Sequence, residues 1–218
     1  MKIKVCGLRE PANIEEVIAL GIDYAGFIFY NKSPRNADGK AFKSWMDKNE
    51  AIFGKTKKVG VFVNAEIEAV LNAVHDYRLD FVQLHGSESP EYCRELKTYW
   101  SIGSLRSAQL IKAFGVDEKF DFNDTAAFEG LCSLFLFDTK GPLQGGNGVS
   151  FNWDLLGNYS GFTSYLLSGG IEEADAAAIR ALPYKQLAGV DVNSRFELKP
   201  GLKDTDKIAR FIAALRGD

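Results

Sequence analysis

The chain has 218 residues, 25% of them charged and 46% apolar, which is ordinary for a soluble globular protein with a substantial core. The formal net charge of −3 offers no basic field to recruit nucleic acid, and no apolar run approaches the ~20 residues of a membrane span. Three widely spaced cysteines (Cys6, Cys93 and Cys132) include no CxxC pair and fit reduced thiols in a cytoplasmic protein.

The first strand is expected at 2–6, where Ile3-Lys4-Val5-Cys6-Gly7 ends on a thiol followed at once by glycine. Lys2 leads directly into it, so no charged-then-apolar leader is expected. Ile14, Val17 and Ile18 then repeat with helical spacing. The second strand, 24–29, is a continuous apolar run, as expected where both faces are buried. Strands at 58–63 and 80–84 flank the helical spacing of Ile67, Val70, Leu71 and Val74. Four more are expected at 109–114, 134–138, 163–167 and 187–192, and Ile208, Phe211, Ile212 and Leu215 mark a closing helix. Eight strands with seven mostly helix-length gaps imply parallel crossover units. An open doubly wound sheet also fits this alternation. Eight units in 218 residues favour a compact α/β fold, a (β/α)8 TIM barrel, formed by one domain spanning 1–218.

In such a barrel the C-terminal strand ends converge. They would bring together Cys6, Arg35, His85, Asp138, Gly169, Gly170, Asn193 and Ser194. Free cysteine is ordinarily a small packing residue, but a thiolate at Cys6 can act as nucleophile or base if a cation lowers its pKa. Lys4, two residues back, points to the same side. Asp138 ends the most apolar strand, where a carboxyl group is more readily held protonated as a general acid. Lys140 would push the other way, and an aspartate bonded to its own loop is the alternative. Gly145-Gly146-Asn147-Gly148 has no P-loop lysine and reads as a mobile loop that closes over substrate. Ser168-Gly169-Gly170 and Asn193-Ser194 follow strands seven and eight, where barrels often bind phosphate through backbone N–H groups. Arg35 can grip a carboxylate or be a solvated loop charge. His85 can titrate near neutrality or serve packing alone.

Taken in order, these segments resemble the phosphoribosylanthranilate isomerase family of tryptophan biosynthesis. The likeness rests on Lys4-Val5-Cys6-Gly7, on Gly26 to Tyr30 with Ser33-Pro34-Arg35, and on Val59 to Asn64. It continues through Val82-Gln83-Leu84-His85-Gly86, Asp138-Thr139-Lys140, Gly145 to Gly148 with Phe151 and Trp153, and Leu167 to Gly170. The resemblance implies an Amadori rearrangement of N-(5′-phosphoribosyl)anthranilate, with Cys6 as general base and Asp138 as general acid. It places Arg35 at the anthranilate and Gly169, Gly170, Asn193 and Ser194 at the phosphate, and His85 is expected with Arg35 among the substrate-binding residues. Proton transfers of this kind call for no metal and no cofactor, only a small phosphorylated substrate. A monomer or homodimer without nucleic-acid or membrane partners is expected. The sequence departs from the family at Arg195, where many members have glycine. Arg195 is expected at negative φ in a short helical turn, its side chain along the rim.

Two rivals are weighed. Indole-3-glycerol phosphate synthase is a related barrel with an extension before its first strand and a lysine at that strand's end, where this chain has Cys6. A catalytically silent sugar-phosphate-binding barrel has no need of both Cys6 and Asp138.

Overall fold

A computed structural model describes residues 1–102, 106–139 and 152–217. The Gly145–Gly148 loop, Lys140 and Phe151 lie outside the described residues. Eight parallel strands close into a barrel: β1 (Lys2–Val5), β2 (Tyr24–Ile28), β3 (Lys57–Phe62), β4 (Phe81–Leu84), β5 (Gln109–Val116), β6 (Leu134–Thr139), β7 (Tyr165–Leu167) and β8 (Leu187–Val192). The seam is the β1–β8 pair, in register over four residues with Lys4 opposite Asp191.

Helices α1 (Pro11–Ala19), α2 (Lys40–Lys48), α3 (Ile67–Asp76), α4 (Pro90–Ile102), α5 (Ala176–Arg180) and α6 (Thr205–Arg216) cover the barrel. Local chemistry sets their ends. Proline opens α1 at a position that needs no N–H. Asp204 caps α6 by accepting from the Lys207 amide at 3.0 Å, and Gly217, at φ 83°, takes the left-handed conformation that ends it. Among the described residues, no helix is long and apolar enough to cross a membrane.

Period-two alternation along the strands divides the apolar side chains into two cores. The larger one, with Ile3, Val5, Phe27, Phe135 and Val190, lies between strands and helices. The smaller one fills the barrel with Val59, Phe81, Ile111, Leu134, Leu136 and Leu166. Above these, the inward positions turn polar: Lys4 and Cys6 on and just after β1, Gln83 on β4, Asp138 on β6 and Asp191 on β8.

The expected helix-length gaps are corrected at two crossovers. The described parts of the connections after β5 and β6 contain 3₁₀ turns, Phe122–Phe128 and Trp153–Asn158. Their residues explain this. Asp121 and Asn152 accept from backbone amides two residues on, at 2.9 and 3.0 Å, which favours tight turns over helix. Phe114, Phe122, Phe137, Tyr159 and Tyr165 then pack as tilted and edge-to-face pairs over the outer face of β5–β7. Phe137 is fully buried at the centre of this group. Phe137→Ala is expected to destabilise the fold by about 3–5 kcal/mol. Chemical denaturation with an unchanged m-value checks this; a loss below about 1 kcal/mol would show that the cluster does not hold the described 3₁₀ turns against the barrel.

Candidate active site

The strand ends open onto a cavity with about 760 Å³ of free space, including the solvent at its mouth. Every residue expected at the site lines it: Cys6, Arg35, His85, Asp138, Gly169, Gly170, Asn193 and Ser194.

Cys6 follows β1, its amide donating to the Val192 carbonyl at 2.9 Å, so the β1–β8 ladder fixes its backbone. Below it Lys4, wholly buried, places Nζ 2.9 Å from Asp191 Oδ1. Glycine on the neighbouring strand widens the space for this group: a β-carbon on Gly26 would lie tightly, at 3.1 Å from Cys6 Sγ and 3.2 Å from Lys4 Nζ. Burial pushes the Cys6 thiol above its ordinary pKa; Lys4 and, more weakly, Lys203 pull it back, while Asp191 adds to the rise. Burial also opposes the charge on Lys4, but Asp191 and Cys6 outweigh it, and its pKa is raised. A fixed ammonium therefore sits beneath the thiol.

Asp138, on β6, lines the same cavity as Cys6. Its Oδ1 accepts from the Thr139 amide at 2.9 Å, and its Oδ2 lies 3.4 Å from His85 Nε2. His85 Nδ1 is 2.8 Å from Gln83 Nε2. If the Gln83 amide donates there, the histidine carries its proton on Nε2 and turns it to Asp138. Gln83 Oε1, buried, has no partner among the described residues. Lys112 and Glu88 hold the loop that carries His85: Lys112 Nζ donates to the carbonyls of Leu84 and Gly86 and to Glu88, which accepts from the amides of Asn64 and Gly86.

Gly169 has φ 92°, and any side chain there would run into Thr139 and come within 2.8 Å of Asp138 Oδ1. It is followed by Gly170 and by Glu172, whose amide donates to Asp175 at 2.7 Å in a capping box that opens the turn before α5. Across the gap, Ser194–Phe196 forms a 3₁₀ turn. Arg195 has no positive φ, as expected, and its guanidinium reaches along the rim to Glu172 at 3.3 Å.

Sequence reasoning did not foresee how Arg35 is held. Its Nε and Nη2 grip the Glu197 carboxylate at 2.6–3.0 Å, and Glu197 also accepts from Lys203 Nζ at 2.8 Å. Glu197 and Lys203 lie on a two-stranded hairpin after β8, β9 (Glu197–Lys199) and β10 (Leu202–Lys203). The signal was present: polar residues alternate on both sides of a Pro200-Gly201 turn.

The fold and cavity define a class: a TIM-barrel enzyme with a thiol and a carboxylate lining one cavity, beside the Gly169-Gly170 loop after strand seven and the Asn193-Ser194 loop after strand eight. The comparisons specify it further. The family model of N-(5′-phosphoribosyl)anthranilate isomerase matches residues 3–214, and the chain belongs to that family. The isomerase of Parabacteroides distasonis is 47% identical, with 97% of this chain and 92% of that protein covered. The crystal structure of the Thermotoga maritima isomerase has a TM-score of 0.83 at 30% identity, with both chains fully covered. Another isomerase, solved with reduced 1-(o-carboxyphenylamino)-1-deoxyribulose 5-phosphate, has a TM-score of 0.81 at 29% identity, again with both chains fully covered. The chain is an isomerase.

Gly169→Ala tests how the carboxylate is positioned. The strained backbone and the contact with Asp138 should lower turnover about 10²-fold. Near wild-type turnover in a folded variant would show that residue 169 does not position Asp138.

Proposed function

We propose that the chain, as one barrel domain, converts N-(5′-phosphoribosyl)anthranilate to 1-(2-carboxyphenylamino)-1-deoxyribulose 5-phosphate, the third step from chorismate to tryptophan. In this reading it works in the cytoplasm, as monomer or homodimer. The observation that carries the mechanism is that Cys6, just after β1, and Asp138, on β6, line one cavity.

Asp138 gives its proton to the ribose ring oxygen as the C1′–O bond breaks, and the anilino nitrogen donates its lone pair to form an iminium ion. The Cys6 thiolate then takes the C2′ proton, and the electrons of that bond neutralise the iminium. The resulting enolamine tautomerises to the ketone. Two neighbours assist. Lys4 lies under the thiolate, and His85, oriented by Gln83, can return a proton to Asp138. The iminium adds positive charge beside Cys6 when the thiolate is needed. Amides around Gly169, Gly170 and Ser194, with the Asn193 side chain, receive the phosphate, and Arg35 with His85 faces the anthranilate.

Cys6→Ala and Asp138→Asn should each lower turnover by ~10²–10⁴-fold with the fold retained. Conversion of freshly made substrate, followed by loss of its fluorescence, measures this; a folded variant keeping more than about a tenth of the rate rejects that residue's role.

The pH profile follows from Cys6. A base works deprotonated, and burial holds this thiol above its ordinary pKa, so kcat/KM should still rise with pH through the ordinary thiol range. A flat profile from neutrality upward would place the base elsewhere.

A further inference from the structure

On the reading that Arg35 meets the substrate carboxylate, we infer that Glu197 is a positioning residue. It fixes Arg35 so that one edge of the guanidinium is free for the carboxylate, and thereby sets selectivity for a carboxylate-bearing aglycone.

Arg35 presents Nε and Nη2 to Glu197 in a side-on bidentate pair, and Nη1 has no partner among the described residues. The stem of the side chain crosses the backbone at Gly7, where a β-carbon would come within 2.7 Å of both Arg35 Cδ and Asn193 Oδ1. Arginine can bind two carboxylates at once, one along the Nε–Nη2 side and one at the Nη1–Nη2 end. Glu197 uses only the first.

Glu197 is itself held from elsewhere. Its side chain is only 4% exposed, and besides Arg35 it accepts from Lys203 Nζ at 2.8 Å and the Gly201 amide at 3.1 Å. Burial would raise its pKa, but bonds to Arg35 and Lys203 outweigh that and hold it below the usual value, so it remains a carboxylate. Lys203, buried, spends its three donors on Glu197 and on the Asn193 carbonyl and side chain. The hairpin thus brings the Arg35 anchor and the Asn193 loop to one ammonium group.

Two other effects of Glu197 both predict the opposite sign to positioning. If its charge mattered only through the field, its removal would strengthen every anion in the cavity. If it competed with the substrate for Arg35, its removal would strengthen carboxylate ligands alone. Positioning predicts that carboxylate ligands alone weaken.

The test uses three probes on the intact protein: the reduced product analogue, the same compound with aniline in place of anthranilate, and inorganic phosphate. Glu197→Gln keeps the shape but turns an amide N–H₂ toward donors that need an acceptor. Binding of the carboxylate analogue should weaken about tenfold or more, the loss of one charge-assisted contact. The aniline analogue and phosphate should change by less than about twofold, because Lys203 still holds Asn193. In turnover, KM should rise much more than kcat falls. Arg35→Met/Glu197→Gln should be no worse than Arg35→Met alone, as for two residues acting as one unit.

Glu197→Asp retains the charge but withdraws the carboxylate, and should show the same selective weakening to a smaller degree. It serves as the readout if Glu197→Gln does not fold. Tighter binding of any anionic probe, or equal weakening of all three, would overturn the inference. If the wild-type protein does not prefer the carboxylate analogue over the aniline analogue, the placement of Arg35 fails first and the inference falls with it.

Discussion

The ion pair between Lys4 and Asp191 spans the seam where the barrel closes. The two residues are opposite each other in the β1–β8 register, both buried, with Nζ and Oδ1 2.9 Å apart. Such pairs are poor sources of stability, because desolvation offsets most of the attraction. Removing one partner is another matter: it leaves a buried charge uncompensated, at a cost of about 3–5 kcal/mol. The pair is therefore an obligation that the fold must keep, and it determines what lies on the floor of the cavity. That floor is a fixed positive charge under Cys6, with Gly26 leaving the space for it.

From this seam, opposite charges continue around one side of the mouth. Lys203 enters from the hairpin after β8 and ties the Asn193 loop to Glu197, and Glu197 holds Arg35. The other wall has a different character. There Asp138 takes one backbone amide and faces His85, and Gly169 leaves room for its carboxylate. A thiol backed by cations thus shares the cavity with a carboxylate backed by a histidine. This division suits a reaction in which one proton must leave carbon while another reaches oxygen.

Most of this architecture was legible in the sequence, because it follows from strand periodicity. Apolar, β-branched or aromatic runs marked all eight strands, and alternation put Lys4 and Cys6 on the same side at the end of β1. The strand ends then brought Cys6, Asp138, Gly169-Gly170 and Asn193-Ser194 together. Two parts were not legible. The 3₁₀ turns after β5 and β6 look like helix-length gaps, because aromatic packing among Phe114, Phe122, Phe137 and Tyr159 leaves little periodic trace. The Arg35–Glu197–Lys203 contacts join residues up to 168 positions apart, and local pattern carries no information on such pairing.

The central claim is that the Lys4 ammonium, held by Asp191, keeps the buried Cys6 thiol within reach of its thiolate. The most direct measurement is the ionisation of Cys6 itself, followed by the pH dependence of its alkylation rate, with the site read by mass spectrometry. In Lys4→Met the account predicts that the midpoint moves to higher pH than in the wild-type protein, because the largest influence opposing burial has been removed. An unchanged or lower midpoint in a folded Lys4→Met protein would contradict it.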